Sequence, residues 1–206
     1  MLINSKEPEI IGSFDIQCEE FMHAVYMPVA FPRTKVRLPR NLECFRKLVD
    51  VAEYWAGNST YIYLTVKHMY GGAGVPVNRP GWHIDGYGSD DINYIWYDSV
   101  PTEFCVQEFE LSADHALSMK QMSEQAKVEN IKTYPARSLL KLDNTIVHRV
   151  GISEAPVLRT FAKVSVSKDK YNLKGNAHNY LFDYEWDMLE RKQERNNPVK
   201  ETYEQA

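Results

Sequence analysis

The sequence predicts a mainly β protein, a barrel or double-sheet jelly roll. Two observations lead there. Short runs rich in β-branched and aromatic residues recur through the middle of the chain: residues 60–69 (TYIYLTVKHM), 93–97 (NYIWY), 103–111 (EFCVQEFEL), 138–142, 145–148 and 157–166. Turn formers punctuate them, namely Gly71-Gly72, Gly86, Gly88, Pro101, Asp143-Asn144, Gly151 and Pro156. Many short strands at this spacing favour a two-sheet or closed β architecture over a βαβ sheet.

The flanking elements follow in chain order. Residues 11–40 are mixed, and the basic run Arg33, Lys35, Arg37 and Arg40 reads as an exposed hairpin. Asn41 then precedes Leu42, Phe45, Leu48, Ala52 and Trp55, a single helical stripe with Asn41 as its N-cap and Gly57-Asn58 as its stop. Residues 112–128 predict a helix inserted between strands. Residues 183–196 (DYEWDMLERKQERN) read as a solvated helix anchored by Trp186 and Leu189, with fraying beyond Pro198. The organisation expected is one domain over 1–206. Its core is residues 60–167, supported by an N-terminal segment over 1–59 and a C-terminal helical tail over 180–206.

Composition narrows the function classes. Lys plus Arg total 24 against 28 acidic residues, which excludes a wholesale basic coat for nucleic acid or anionic membrane. Cys18, Cys44 and Cys105 are odd in number and form no CxxC pair, which argues against a disulfide framework or a zinc ribbon. No apolar run reaches the roughly 18 residues of a membrane span, and none at the start resembles a signal peptide. A cytoplasmic location without a membrane partner is expected.

The informative segment is Gly81-Trp82-His83-Ile84-Asp85-Gly86. Residues i and i+2 of a strand share a face, so His83 and Asp85 can aim the same way and supply two of the three ligands of a facial metal site. In a chain with 6 His such a pair arises readily by chance, and alone it reads equally as a His–carboxylate hydrogen bond. A second half strengthens it. Residues 145–148 form a short run ending in His148, and Arg159 interrupts the β-type run 157–166. A charge inside such a strand is costly unless paired, and a guanidinium fork holds a carboxylate through two parallel hydrogen bonds.

On His83, Asp85, His148 and Arg159, in that order and spacing, the chain resembles the iron(II)- and 2-oxoglutarate-dependent dioxygenases. Residues 101–104 (PTEF) are similar to the phytanoyl-type branch. The resemblance covers about residues 60–167. It implies a double-stranded β-helix, a form of jelly roll, to which the residue patterns outside 60–167 add flanking N-terminal and C-terminal helices. It implies Fe(II) held by His83, Asp85 and His148, with 2-oxoglutarate gripped by Arg159 and O2 as the third participant. The implied reaction hydroxylates a substrate C–H bond and releases succinate and CO2. Tyr61, Tyr63 and Thr65 on one face of the run 60–69, and Tyr70 at its end, are the candidates for a hydroxyl assisting Arg159, with Tyr63 and Tyr70 put first.

Two other classes compete: a cupin-like zinc hydrolase or isomerase on the same three ligands, and a non-catalytic jelly-roll binding module. Arg159 discriminates, because a zinc hydrolase needs no carboxylate clamp there. A small molecule or an amino-acid side chain is the expected substrate, with a nucleic-acid base as a further candidate. Trp82, Tyr87, Trp96 and Tyr97 either stack on a planar substrate or pack the barrel, with packing favoured. Arg149 follows His148 directly, points to the opposite face and is not assigned to the site. The Gly71–Gly74 stretch reads equally as a lid or a hairpin connection.

Overall fold

The computed structural model describes residues 1–191. Its strands are β1 (Leu2–Asn4), β2 (Glu9–Ser13), β3 (Met22–Ala30), β4 (Tyr61–Gly71), β5 (His83–Ile84), β6 (Ile92–Tyr97), β7 (Thr102–Cys105), β8 (Glu108–Glu110), β9 (Ile131–Thr133), β10 (Ser138–Leu142), β11 (Val147–Val150) and β12 (Val157–Ser167). Helix α1 (Arg46–Trp55) lies between β3 and β4, and α2 (His115–Gln125) between β8 and β9. A six-stranded sheet has the order β2-β10-β6-β12-β4-β3, a four-stranded sheet the order β5-β11-β7-β9, and β1 pairs with β8. All these pairings are antiparallel.

Strand β12 divides the molecule into two layers. Its residues alternate, with Ala162, Val164 and Val166 on one face and Arg159, Phe161, Lys163 and Ser165 on the other. The first face joins Ile62, Leu64 and Val66 of β4 and Trp96 of β6 in a core roofed by Leu48, Val49 and Ala52 of α1. The second face looks toward the small sheet. There Ile95 and Tyr97 meet Phe104 of β7 together with Leu140, Leu142 and Ile146, and Phe161 packs against them. The buried cations of β12 therefore sit between the two sheets. Among the described residues no helix is long and apolar enough to cross a membrane.

Several expectations need correction. The stripe over 42–55 is split: a 3-10 helix, Arg40–Phe45, leads into α1, and Asn41 lies inside that turn with no side-chain cap at its start. Leu42, Phe45, Leu48 and Ala52 are buried as the periodicity requires, but Trp55 is 62% exposed. The basic run is no hairpin. Residues 31–39 are irregular, with Arg33 in a left-handed turn (φ 64°) and Arg37 donating to the Leu181 carbonyl. The run 103–111 breaks into β7 and β8, because the first pairs with β9 and β11 and the second with β1.

The largest departure is the tail. Residues 183–191 are extended, not helical, and Leu189 bridges Leu173; residues 192–196 of that expected helix lie outside the described residues. The sequence carried the signal. Phe182, Tyr184 and Trp186 alternate with Asp183, Glu185 and Asp187, a period of two. Phe182, Tyr184 and Trp186 all pack edge-on against Phe31, so burial of aromatic area overrides the helix propensity of the charged residues.

Gly151 closes the loop after β11. Its N–H donates to the Pro101 carbonyl at 3.1 Å, and a Cβ there would stand 2.4 Å from that oxygen. Gly151→Ala should destabilise the protein by about 1–3 kcal/mol in urea unfolding. An unchanged midpoint would show that the turn before β7 yields freely.

Candidate metal centre

The centre begins with a pairing register. Strand β5 lies beside β11 with His83 directly opposite His148, so both imidazoles project from one face. Their ring centroids are 4.5 Å apart. Asp85 follows two residues after His83 and returns to that face. Gly86 then turns the chain at φ 72°, where a Cβ would stand 2.9 Å from Asp91 Cβ.

One ligand-type atom from each of His83, Asp85 and His148 lies within 4.8 Å of the others, and all three residues are buried. Each imidazole is oriented from behind: Nδ1 of His83 lies 2.9 Å from the Gly81 carbonyl, and Nδ1 of His148 lies 3.0 Å from the Ile146 carbonyl. A carbonyl only accepts, so each Nδ1 carries a proton and each Nε2 is turned to the interior. His148 Nε2 is 3.6 Å from Asp85 Oδ2. Burial, and then the neighbouring His148, pushes His83 down to about 3, so it is neutral at physiological pH.

Two residues that sequence reasoning passed over complete this arrangement. Lys163 donates to Asp85 Oδ2 at 2.9 Å and to the Tyr26 hydroxyl at 2.8 Å. Burial alone would raise the Asp85 carboxyl, but Lys163, then His148 and His83, hold it well below the usual carboxylate range. Burial likewise opposes the Lys163 ammonium, while Asp85 and Tyr26 raise it above its ordinary value. Lys163 had a legible signal, since it interrupts the β-type run 157–166 as Arg159 does. Tyr26 had none. It owes its place to a bulge between Ala24 and Met27 and to a left-handed backbone, φ 46°.

Arg159 shares the inward face of β12 with Lys163 and is 2% exposed. Its Nε donates to the carbonyls of Ser99 (2.9 Å) and Val100 (3.2 Å). Its Nη2 is buried and has no hydrogen-bond partner among the described residues. Burial pushes the guanidinium down to about 10, partly offset by Asp98 and Tyr97, so it stays charged. A buried cation with an open N–H is a receptor for an anionic oxygen.

The two tyrosines expected beside Arg159 are not there. Tyr70 pairs with Leu158 on the outer face and is 67% exposed against Phe21. Tyr63 points inward, but it lies opposite Ser165, six residues or about 20 Å along the strand from Arg159. Its hydroxyl is engaged by the Asp169 carbonyl and the Tyr171 N–H. The tyrosine beside Arg159 is Tyr97, its ring 5.7 Å from the guanidinium and its hydroxyl donating to the Tyr134 carbonyl. Trp82, Tyr87 and Trp96 are buried packing residues, and Trp82 is covered by the Arg149 guanidinium at 4.4 Å.

No protein-family model and no curated protein matches this chain. Among solved structures it is similar to EvdO2 from Micromonospora carbonacea var. aurantiaca, at 14% identity and a TM-score of 0.39 over 63% of this chain. EvdO2 complexed with 2-oxoglutarate matches at 12% identity and the same TM-score. The match spans 60% of the length of EvdO2.

Two outcomes follow for the metal-free protein. His83 binds its proton more weakly when folded than when unfolded. Stability is therefore complete above about pH 6.5 and falls as the pH drops toward 3, by up to about 1.4 kcal/mol per pH unit. His83→Gln should flatten that slope in denaturant unfolding between pH 6.5 and 4.5; an equal slope refutes the buried neutral imidazole. Lys163→Met strands a buried carboxylate and should cost about 3–5 kcal/mol. Mn(II) should then raise the Tm of the variant more than that of the wild type, since a dication replaces the lost ammonium. Equal shifts would place the metal elsewhere.

Proposed function

We propose that this protein is an Fe(II)- and 2-oxoglutarate-dependent oxygenase that hydroxylates a substrate C–H bond. One observation carries the reading: two imidazoles and a carboxylate converge between the sheets, and a buried guanidinium with an open N–H projects from the facing strand β12. The donor set fits a ferrous ion, since two imidazole nitrogens and one carboxylate suit a facial site with positions left open. From β4 onward the order β10-β6-β12-β4 facing β5-β11-β7-β9 supports a double-stranded β-helix, each sheet taking strands from both ends of the core.

When bound, the iron would couple O2 reduction to decarboxylation of 2-oxoglutarate, giving succinate, CO2 and a hydroxylated substrate. The chain's own residues prepare this. The Gly81 and Ile146 carbonyls fix both rings, so neither imidazole must rotate to bind. Lys163 holds Asp85 ionised and in place. Arg159 offers its open N–H to the far carboxylate of 2-oxoglutarate, while the carbonyls of Ser99 and Val100 keep its stem from swinging. The aromatic rings of Tyr97 and Phe161 flank the guanidinium and strip water from it, which strengthens a carboxylate contact. A zinc hydrolase on the same ligands leaves that guanidinium without a task.

Anaerobic titration of the full chain with Fe(II) and then 2-oxoglutarate should produce a weak visible charge-transfer band only when both are present. Asp85→Ala should lose it. Arg159→Lys should raise the apparent KM for 2-oxoglutarate about tenfold or more through loss of the two-pronged contact, with Fe(II) affinity nearly unchanged. A band that survives Asp85→Ala, or an unmoved KM, overturns the assignment.

A further inference from the structure

We propose that a cavity on the far side of Tyr26 is the substrate-anchoring pocket, and that it takes a planar aromatic or heteroaromatic ring. The carbon to be oxidised would extend from that ring past Tyr26. The proposal rests on the oxygenase reading and names its substrate class.

The cavity has a volume of about 420 Å³, within the range of small-molecule pockets, and is walled largely by the rings of Tyr26, Tyr171, His178, Tyr184 and Trp186. Tyr26 belongs to both places. Its ring lines the cavity, and its hydroxyl accepts from Lys163, which holds Asp85. That double position depends on an uncommon backbone: a bulky residue at φ 46° in a strand bulge, fixed by its N–H donating to Thr65 Oγ1 at 2.9 Å. Backbone held in the left-handed region by its surroundings is characteristic of functional sites.

The opposite wall is built from the extended tail. Asn179, fully buried, donates to the Pro28 and Arg37 carbonyls, and the Ala177 N–H donates to the Val25 carbonyl. These bonds pin the segment across β3, so the ring wall is pre-formed. The wall itself already stacks, with His178 and Tyr184 rings 4.3 Å apart at 9°. Ring faces select planar groups through stacking. A cationic occupant is disfavoured, because Lys170 already stands 5.6 Å from the Trp186 ring centroid and Glu185, the one acid of the lining, is exposed.

The test uses the full-length protein and indole as probe, with octahydroindole and tetramethylammonium as controls. Indole should bind with a Kd below about 1 mM, and octahydroindole about tenfold or more weaker. Tyr184→Ala and Trp186→Leu, both at half-exposed positions, should each weaken indole about tenfold. In the Mn(II)-loaded protein the NMR lines of bound indole should broaden, and in Asp85→Ala they should not. Equal binding of indole and octahydroindole, tighter binding of tetramethylammonium, or wild-type affinity in both variants overturns the planar class. Bound indole left sharp while water relaxation shows Mn(II) bound overturns the pocket as a substrate site and leaves the oxygenase reading standing. Failure of Mn(II) to bind at all overturns that reading, and this proposal with it.

Discussion

A carboxylate and an ammonium 2.9 Å apart, both between the sheets, set the terms for the residues around them. Neither Asp85 nor Lys163 tolerates that position alone, since an unpaired buried ion costs several kcal/mol. Their pairing ties the turn after β5, which carries Asp85, to β12, the source of Lys163. The two imidazoles complete the same small volume. Both rings are tethered through Nδ1, so their Nε2 edges and the carboxylate share one buried space.

The architecture supports such a concentration of charge because β12 separates its two tasks by face. The side toward α1 is apolar along Ala162, Val164 and Val166, which pack with aliphatic side chains of β3, β4 and α1. The side toward the small sheet carries Arg159, Phe161, Lys163 and Ser165 in succession. Alternation along one strand thus places two cations about 13 Å apart at the depth of the core, with an aromatic ring between them. The Arg159 cation retains a buried N–H without a partner among the described residues.

The extended tail ties this centre to a second space. By lying across β3 instead of coiling, residues 171–190 bring Tyr171, Tyr184 and Trp186 toward Tyr26. Tyr26 in turn contacts Lys163. A strand bulge near the start of the chain and an aromatic segment near its end therefore meet beside a carboxylate from the middle.

Local pattern made much of this readable in advance. Strands over 61–71, 92–97, 138–142 and 157–167 follow from β-branched and aromatic runs, and the buried stripe of α1 follows from its period. His83, Asp85, His148 and Arg159 stood out together through the order and spacing that carry the family resemblance, since the His83/Asp85 pair alone arises readily by chance. Tertiary structure alone decided the rest. Strand pairing put His83 opposite His148, which no spacing specifies, since register depends on partners far along the chain. It carried Tyr63 about 20 Å from Arg159 and turned Tyr70 outward, although both are tyrosines on one strand. Packing against Phe31 drew out the tail that its charged residues favour as helix, and a bulge aimed Tyr26 at Lys163. Composition and period report what a residue prefers beside its chain neighbours; which side chains meet is fixed by contacts between segments distant in sequence.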